Sequence, residues 1–296
     1  MFEYIRMWLN SRSNVWKDPC SSLCLHVAFV AISCAMTLRS RRRRAAEGRS
    51  EHRDHSRIKR RWEKEQESLR RKLVECDDMK TWSWHHDKTS PQGLKFVGGV
   101  DISFVKNDPK SRACACLVVL RFPSMEIVYK CCKMIQMDEP YISGFLAFRE
   151  CHFLVELIEE LRETREGLMP QVIIVDGNGV LHPRGFGLAC HLGVLMDIPT
   201  IGIGKSLLFV DGLTKESVRN EGEGSIDCPL IGDSGKVWGH AGCFATGTTK
   251  PIFVSVGHRV SLETALRVVR VCSHYRIPEP VRRADLLSRN FIRNAT

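Results

Sequence analysis

None of the 13 cysteines in this 296-residue chain is paired at CxxC spacing. Their number is odd and they are scattered, and Cys114, Cys116 and Cys190 sit inside apolar runs. That pattern argues against a zinc site or a disulfide framework and for cysteine as a small core residue in a reducing compartment. Long apolar runs are also missing. Leu23 to Leu38 comes nearest, but His26 interrupts it, and it is shorter than the roughly 20 residues of a spanning helix. No membrane partner is expected. A clear cleavage signal is lacking as well, so residues 1–56 are expected to be a divergent extension without stable structure. No internal repeat is visible, and nothing suggests an obligate oligomer, so a monomer is expected.

Basic charge is plentiful but localised. The chain carries a net +10, and residues 39–72 alone hold 15 Lys or Arg against six Asp or Glu. The remainder is nearly balanced. An excess of this kind points to an anionic partner, with nucleic acid as the first candidate. The cluster of Arg39 and Arg41 to Arg44 fits a nuclear-localisation patch or a solvated stretch, which leaves cytoplasm and nucleus, including the nucleolus, equally open.

From residue 57 onward the pattern is that of a folded domain, 57–296. Ile58, Trp62, Leu69 and Leu73 recur at helical spacing. Phe96 to Phe104, Ala113 to Arg121 and Glu126 to Ile135 read as three strands of an antiparallel meander. Pro140-Tyr141-Ile142-Ser143 is expected to open a helix that carries Glu150. Val172 to Val175 is a short apolar run suited to a strand buried on both faces. It ends in Asp176, followed by Gly177, Asn178 and Gly179, with His182 and Arg184 on the same loop. A helix over Gly187 to Met196 and a strand over Pro199 to Gly204, ending at Lys205, come next. Residues 211–235 read as loop. A strand from Pro251 to Val256 leads to Gly257, His258 and Arg259. A helix over Ser261 to Cys272, capped by Ser261, and a final helix from Pro278 bearing Asp285 complete the chain. The order predicts an α/β domain of ribonuclease H-like type, a mixed central sheet with helices on both faces.

Asp101 breaks an apolar strand, where an unpaired charge is expensive. In a ribonuclease H-like sheet the first and fourth strands are neighbours, which sets Asp101 beside Asp176. Two adjacent carboxylates repel, and a hard divalent cation, magnesium or manganese, relieves the conflict. Such a site suits phosphoryl chemistry. Taken alone, Glu150 reads as a solvent-facing helical carboxylate, Tyr141 as a buried aromatic at a helix start, and Asp176 as a helix-capping turn residue.

The stretches VGGVDISF (97–104), PYISGFLAFRE (140–150), LMPQVIIVDGNGVLHPRGFGLACHLGVL (168–195), GIGKSLL (202–208), SVGHRVSLE (255–263) and RIPEPVRRADLLSR (276–289) closely resemble the endonuclease V family, in the family's order. Ser143 at the end of PYIS is similar to its animal members. The resemblance implies a metal-dependent endonuclease directed at inosine. It implies hydrolysis of the second phosphodiester bond on the 3′ side, leaving 3′-hydroxyl and 5′-phosphate ends, with single-stranded RNA preferred over DNA. It also implies that Asp101, Glu150 and Asp176 bind magnesium, for which manganese substitutes. In the same way, Lys205, His258 and Asp285 are implied to join the catalytic set, His258 near the metal. Tyr141, with Ile142 beside it, matches the family's wedge, whose ring stacks on a base while the target base swings out. Gly177 fits a pocket that reads hypoxanthine through main-chain groups. Arg184 is a candidate substrate contact, and His182 either contacts substrate or stabilises its loop. Residues 1–50 and about 211–250 depart from the family pattern. A deoxyinosine-directed DNA-repair nuclease, or an inosine-RNA binding module disabled by the divergent segment, are the competing expectations.

Overall fold

The computed structural model describes residues 55–84, 88–108, 111–214, 216 and 226–295. The apolar run and arginine cluster near the N-terminus lie outside them. The chain divides into two units, Met1–Ile58 and Lys59–Thr296, and the site lies in the second. Among the described residues, no helix is long and apolar enough to cross a membrane.

The first helix, α1, spans residues 55–70. The strands are β1 (Phe96–Phe104), β2 (Arg112–Arg121), β3 (Glu126–Gln136), β4 (Val172–Asp176), β5 (Thr200–Gly204), β6 (Asp227–Ile231), β7 (Val237–Gly242) and β8 (Ile252–His258). The remaining helices are α2 (Leu146–Arg165), α3 (Leu188–Met196), α4 (Leu262–Val271) and α5 (Glu279–Ala295). The strands form one mixed sheet in the order β3-β2-β1-β4-β5-β8-β7-β6. β1, β2 and β3 are the antiparallel meander, and β1, β4 and β5 run parallel. The architecture is ribonuclease H-like, and the first and fourth strands are neighbours as the sequence predicts.

Alternation along each strand sorts residues onto two faces. Val100, Leu117, Ile173 and Val175 pack under α2 and α3 through Leu154, Leu157, Ile158, Leu188 and Leu192. Val97, Val172, Ile174, Ile201 and Val254 pack on the other face, against Val268 and Val269 of α4 and Val281 of α5. Asp101 and Asp176 share this second face by parity with Val97 and Ile174, and α5 lies over β1 and β2 there. Gly99 makes that docking possible: a Cβ on it would lie 2.1 Å from the carbonyl oxygen of Pro280. Trp62 of α1 is buried and stacks on Phe148 at 5.1 Å between ring centroids.

Three expectations about elements need correction. α2 starts at Leu146, not at Pro140, because Gly144 takes φ 81° in a turn closed by the Phe145 N–H donating to the Ile142 carbonyl. Part of 211–235 is strand: β6 pairs with β7, which pairs with β8. α1 ends before Leu73, though Leu69 and Leu73 do pack on the core.

Candidate active site

β1 and β4 run parallel with Val100 opposite Val175, so Asp101 and Asp176 leave the sheet side by side at the same end. α5 crosses above and adds Asp285. One carboxylate oxygen from each of Asp101, Asp176 and Asp285 lies within 4.8 Å of the others. Burial and the neighbouring Asp176 push the Asp101 carboxyl up to about 6, against hydrogen bonds from Ser288 and Ser103 that pull it down. Like charges at this separation cannot all ionise freely without a cation.

Lys205 follows β5 and supplies part of that cation. Its Nζ lies 2.5 Å from Asp176 Oδ2 and 3.9 Å from Asp285 Oδ1. Burial disfavours its charge, but the three carboxylates overcome this and its pKa is raised. The backbone of Lys205 is also held: Arg276 donates from Nη2 to the carbonyl oxygens of Lys205 and Pro251, both at 3.1 Å.

Asp101 is oriented from behind. Ser103 Oγ donates to its Oδ2 at 2.9 Å, and Ser288 Oγ, fully buried on α5, lies 2.8 Å from the same oxygen. These hydroxyls fix one oxygen of Asp101 and leave the other for the cluster, the usual task of residues behind a metal ligand. Reading the sequence alone missed Ser103, Ser288 and Arg276. The signal was present for Ser103, two residues from Asp101 and so on the same strand face, but Ser288 and Arg276 act across long sequence separations.

Glu150 is not one of the three converging carboxylates. It comes from the first turns of α2, in the helix layer on the opposite sheet face. It is buried, not solvent-facing, and desolvation pushes it up to about 8; Arg149 opposes this, and the charges of Asp101 and Asp176 add to it.

His258 is placed elsewhere. It pairs with Thr200 at the start of β5, whereas Asp176 pairs with Ile203 near its end. Three strand residues separate these rows, about 10 Å at the usual rise per residue. His258 Nδ1 accepts from the Val74 N–H at 3.3 Å, and its Nε2 faces Asp197 at 3.6 Å. Burial lowers its pKa despite Asp197. The expectation that it stands near the metal is therefore corrected: the antiparallel run of β8 carries it to the far end of the sheet.

The loop after β4 divides similarly. His182 is buried, its Nδ1 accepts from the Arg184 N–H at 3.2 Å, and burial lowers it to about 4, which makes it a loop-stabilising residue. Arg184 donates to Gln66 of α1, and its guanidinium lies 5.3 Å from the Phe145 ring centroid. It ties α1 to the segment before α2. The Gly177 N–H is already spent on the Ile203 carbonyl at 3.0 Å, and a Cβ there would lie 3.2 Å from Leu188. That donor is therefore not available to a ligand. The buried Asn178 Oδ1 beside it has no hydrogen-bond partner. Tyr141 is 67% exposed, so it is not the buried aromatic that its sequence context alone suggests. Ile142 next to it is half-buried.

The groove around the carboxylates encloses about 980 Å³ and is lined by Asp101, Asp176, Lys205, Asp285, Arg289 and Arg293 among others. The converging donors are all hard carboxylate oxygens, two of them on rigid neighbouring strands, and they fit a divalent cation of the magnesium or manganese kind.

The chain is similar to known proteins in both sequence and fold. The family model for endonuclease V matches residues 79–286. Human endonuclease V is 52% identical over 239 residues, covering 79% of this chain and 83% of the human protein. The mouse protein is 52% identical over 237 residues, covering 78% and 69%. The crystal structure of the human catalytic domain superposes with TM-score 0.75 at 49% identity, over 81% of this chain and 97% of that one. A Ciona intestinalis endonuclease V bound to a 24mer DNA containing an inosine followed by a ribo-adenosine superposes with TM-score 0.73 at 36% identity, over 81% and 100%. Fold and sequence thus agree, and the chain belongs to the endonuclease V family.

Proposed function

We propose that this nuclease uses a divalent cation, magnesium with manganese as a substitute, to cut single-stranded RNA at the second phosphodiester bond 3′ of an inosine. The products are 3′-hydroxyl and 5′-phosphate ends. The observation that carries the reading is the convergence of Asp101, Asp176 and Asp285 with Lys205 beside them. Asp101 and Asp176 hold the cation, with Glu150 completing the set from the α2 side and Asp285 from α5. When bound, the cation stabilises charge on the phosphate and makes water a nucleophile near neutral pH.

The other roles belong to the chain itself. Ser103 and Ser288 hold the Asp101 carboxylate in one orientation. Lys205 is placed to neutralise a phosphate oxygen or to orient the attacking water. Tyr141, exposed ahead of α2, is free to stack on a base as a wedge while the inosine swings out. The backbone around Gly177 offers polar groups to a purine, and hypoxanthine differs from adenine by the missing amino group, which hydrogen bonding can discriminate. We place the protein, as a monomer, in cytoplasm and nucleus.

A ribo-adenosine follows the inosine in the oligonucleotide bound by the Ciona relative, which supports a ribose contact just 3′ of the lesion. The same oligonucleotide is otherwise DNA, so deoxyinosine cleavage is the second reading. Matched 5′-labelled RNA, DNA and DNA with one ribonucleotide after the inosine separate the two. RNA should be cut fastest and the single ribonucleotide should restore most of the rate to DNA. Equal cleavage of DNA and RNA would favour the repair reading. An inactive binding module would bind inosine RNA without cutting it, which the complete carboxylate set argues against.

A further inference from the structure

Behind the carboxylates, β2 and β3 bring two side chains together that the nuclease reaction does not use. Cys116 stands directly opposite Cys132, and their Sγ atoms lie 2.7 Å apart as free thiols. Directly opposed residues of antiparallel strands have Cα atoms about 4.5–5.5 Å apart, inside the roughly 4.4–6.8 Å range of disulfides. Cys114 also reaches Cys132 with its side chain, but it stands opposite Met134 and meets Cys132 on the diagonal, where Cα atoms about 7–8 Å apart exceed the range of a disulfide. Cys131 points to the other face, with its Sγ 3.8 Å from Glu160 Oε1. Cys116 is fully buried and Cys132 partly exposed, so Cys132 is the sulfur that an oxidant reaches first.

The same row reaches the active site. Asp101 is the residue of β1 opposite Cys116. Cys116 and Cys132 also pack against Ala284 and Leu287 of α5, the chain neighbours of Asp285 and Ser288. The thiol pair is therefore the floor under the helix that supplies one carboxylate and orients another.

We propose that Cys116 and Cys132 form a reversible oxidation site, whose closure to a cross-strand disulfide shifts α5 and lowers nuclease activity. With hydrogen peroxide as oxidant, the Cys132 sulfur attacks one oxygen, the O–O bond breaks, and the Cys132 proton joins the departing hydroxide, leaving a sulfenic acid and one water. The Cys116 sulfur then attacks the sulfenic sulfur, the S–O bond breaks, and the Cys116 proton joins the departing hydroxide, leaving the disulfide and a second water. Two thiols lose two electrons and one peroxide gains them. A dithiol reductant reverses the change. Close-packed interiors transmit such displacements because they hold little free volume. The inhibition rests on the nuclease reading; the cross-link does not.

The test oxidises the full chain with stoichiometric hydrogen peroxide, maps disulfides by peptide mass spectrometry, and measures cleavage of inosine RNA before and after dithiothreitol. The expected result is a Cys116–Cys132 link, with activity down at least about tenfold, since misplacing catalytic groups by about 1 Å costs up to ~10²-fold. Dithiothreitol restores it. Cys132→Ser should match the reduced wild type and keep its activity in peroxide. A native oxidised chain without that link overturns the proposal. So does the link with unchanged activity, or a Cys132→Ser variant that peroxide inactivates as fully. A reduced chain with no activity would overturn the inhibition along with the nuclease reading, while mass spectrometry still decides the oxidation site.

Discussion

At the scale of single residues, the site is defined by charges that do not balance without help. Asp101 and Glu150 hold their protons far above the ordinary carboxyl range, at about 6 and about 8. The folded state without metal therefore keeps protons that the unfolded chain has released. Stability from these groups is complete below the ordinary values near 3.8 and 4.5 and is lost as pH rises toward 8. Thermal melts of EDTA-treated protein should thus fall in Tm across that window, Glu150→Gln should flatten the decline, and magnesium should raise Tm most at the alkaline end. An identical slope in the variant would show that Glu150 is ionised in the fold. Lys205→Ala, measured by single-turnover cleavage, should lose about 10²-fold or more in rate, with less change in substrate affinity. A rate within a few-fold of wild type would remove Lys205 from the chemistry.

At the scale of elements, much was legible because the signals were local. Val172 to Val175 ends in Asp176 at a strand end, and the alternation of Phe96 to Phe104 leaves Asp101 as an anomaly. The meander, the two parallel strands and the carboxylate pair followed from these patterns. β6 and β7 were not legible: Asp227–Ile231 contains Pro229 and buries only Leu230 well, and this outermost strand takes its pairing from β7. His258 misled because its place is set by the direction of β8, which the motif around it does not encode. α5 is the element on which the site depends most, and Gly99 tests it. A methyl group there meets the Pro280 backbone, so Gly99→Ala should cost about 1–3 kcal/mol in urea unfolding and lower activity by moving Asp285 and Ser288. Full stability and full activity in that variant would mean that α5 docks elsewhere.

At the scale of the whole molecule, one domain carries the nuclease, and most of the excess positive charge lies near its start, within residues 39–72. The family match begins at residue 79, so deleting residues 1–50 should leave cleavage at physiological salt largely intact. If activity falls, and the loss deepens steeply with added salt, the basic segment binds substrate through phosphate contacts. The proposed cation-dependent cleavage of RNA at the second bond 3′ of inosine is checked by incubating a 5′-labelled single-stranded RNA with one inosine, in magnesium, with wild type and with Asp176→Asn, and sizing the product. Wild type should give a single fragment that ends at the second bond 3′ of inosine. The adenosine control should stay intact, and EDTA or Asp176→Asn should give no fragment. Cleavage that persists in EDTA or in Asp176→Asn, or that ignores the inosine, would contradict it.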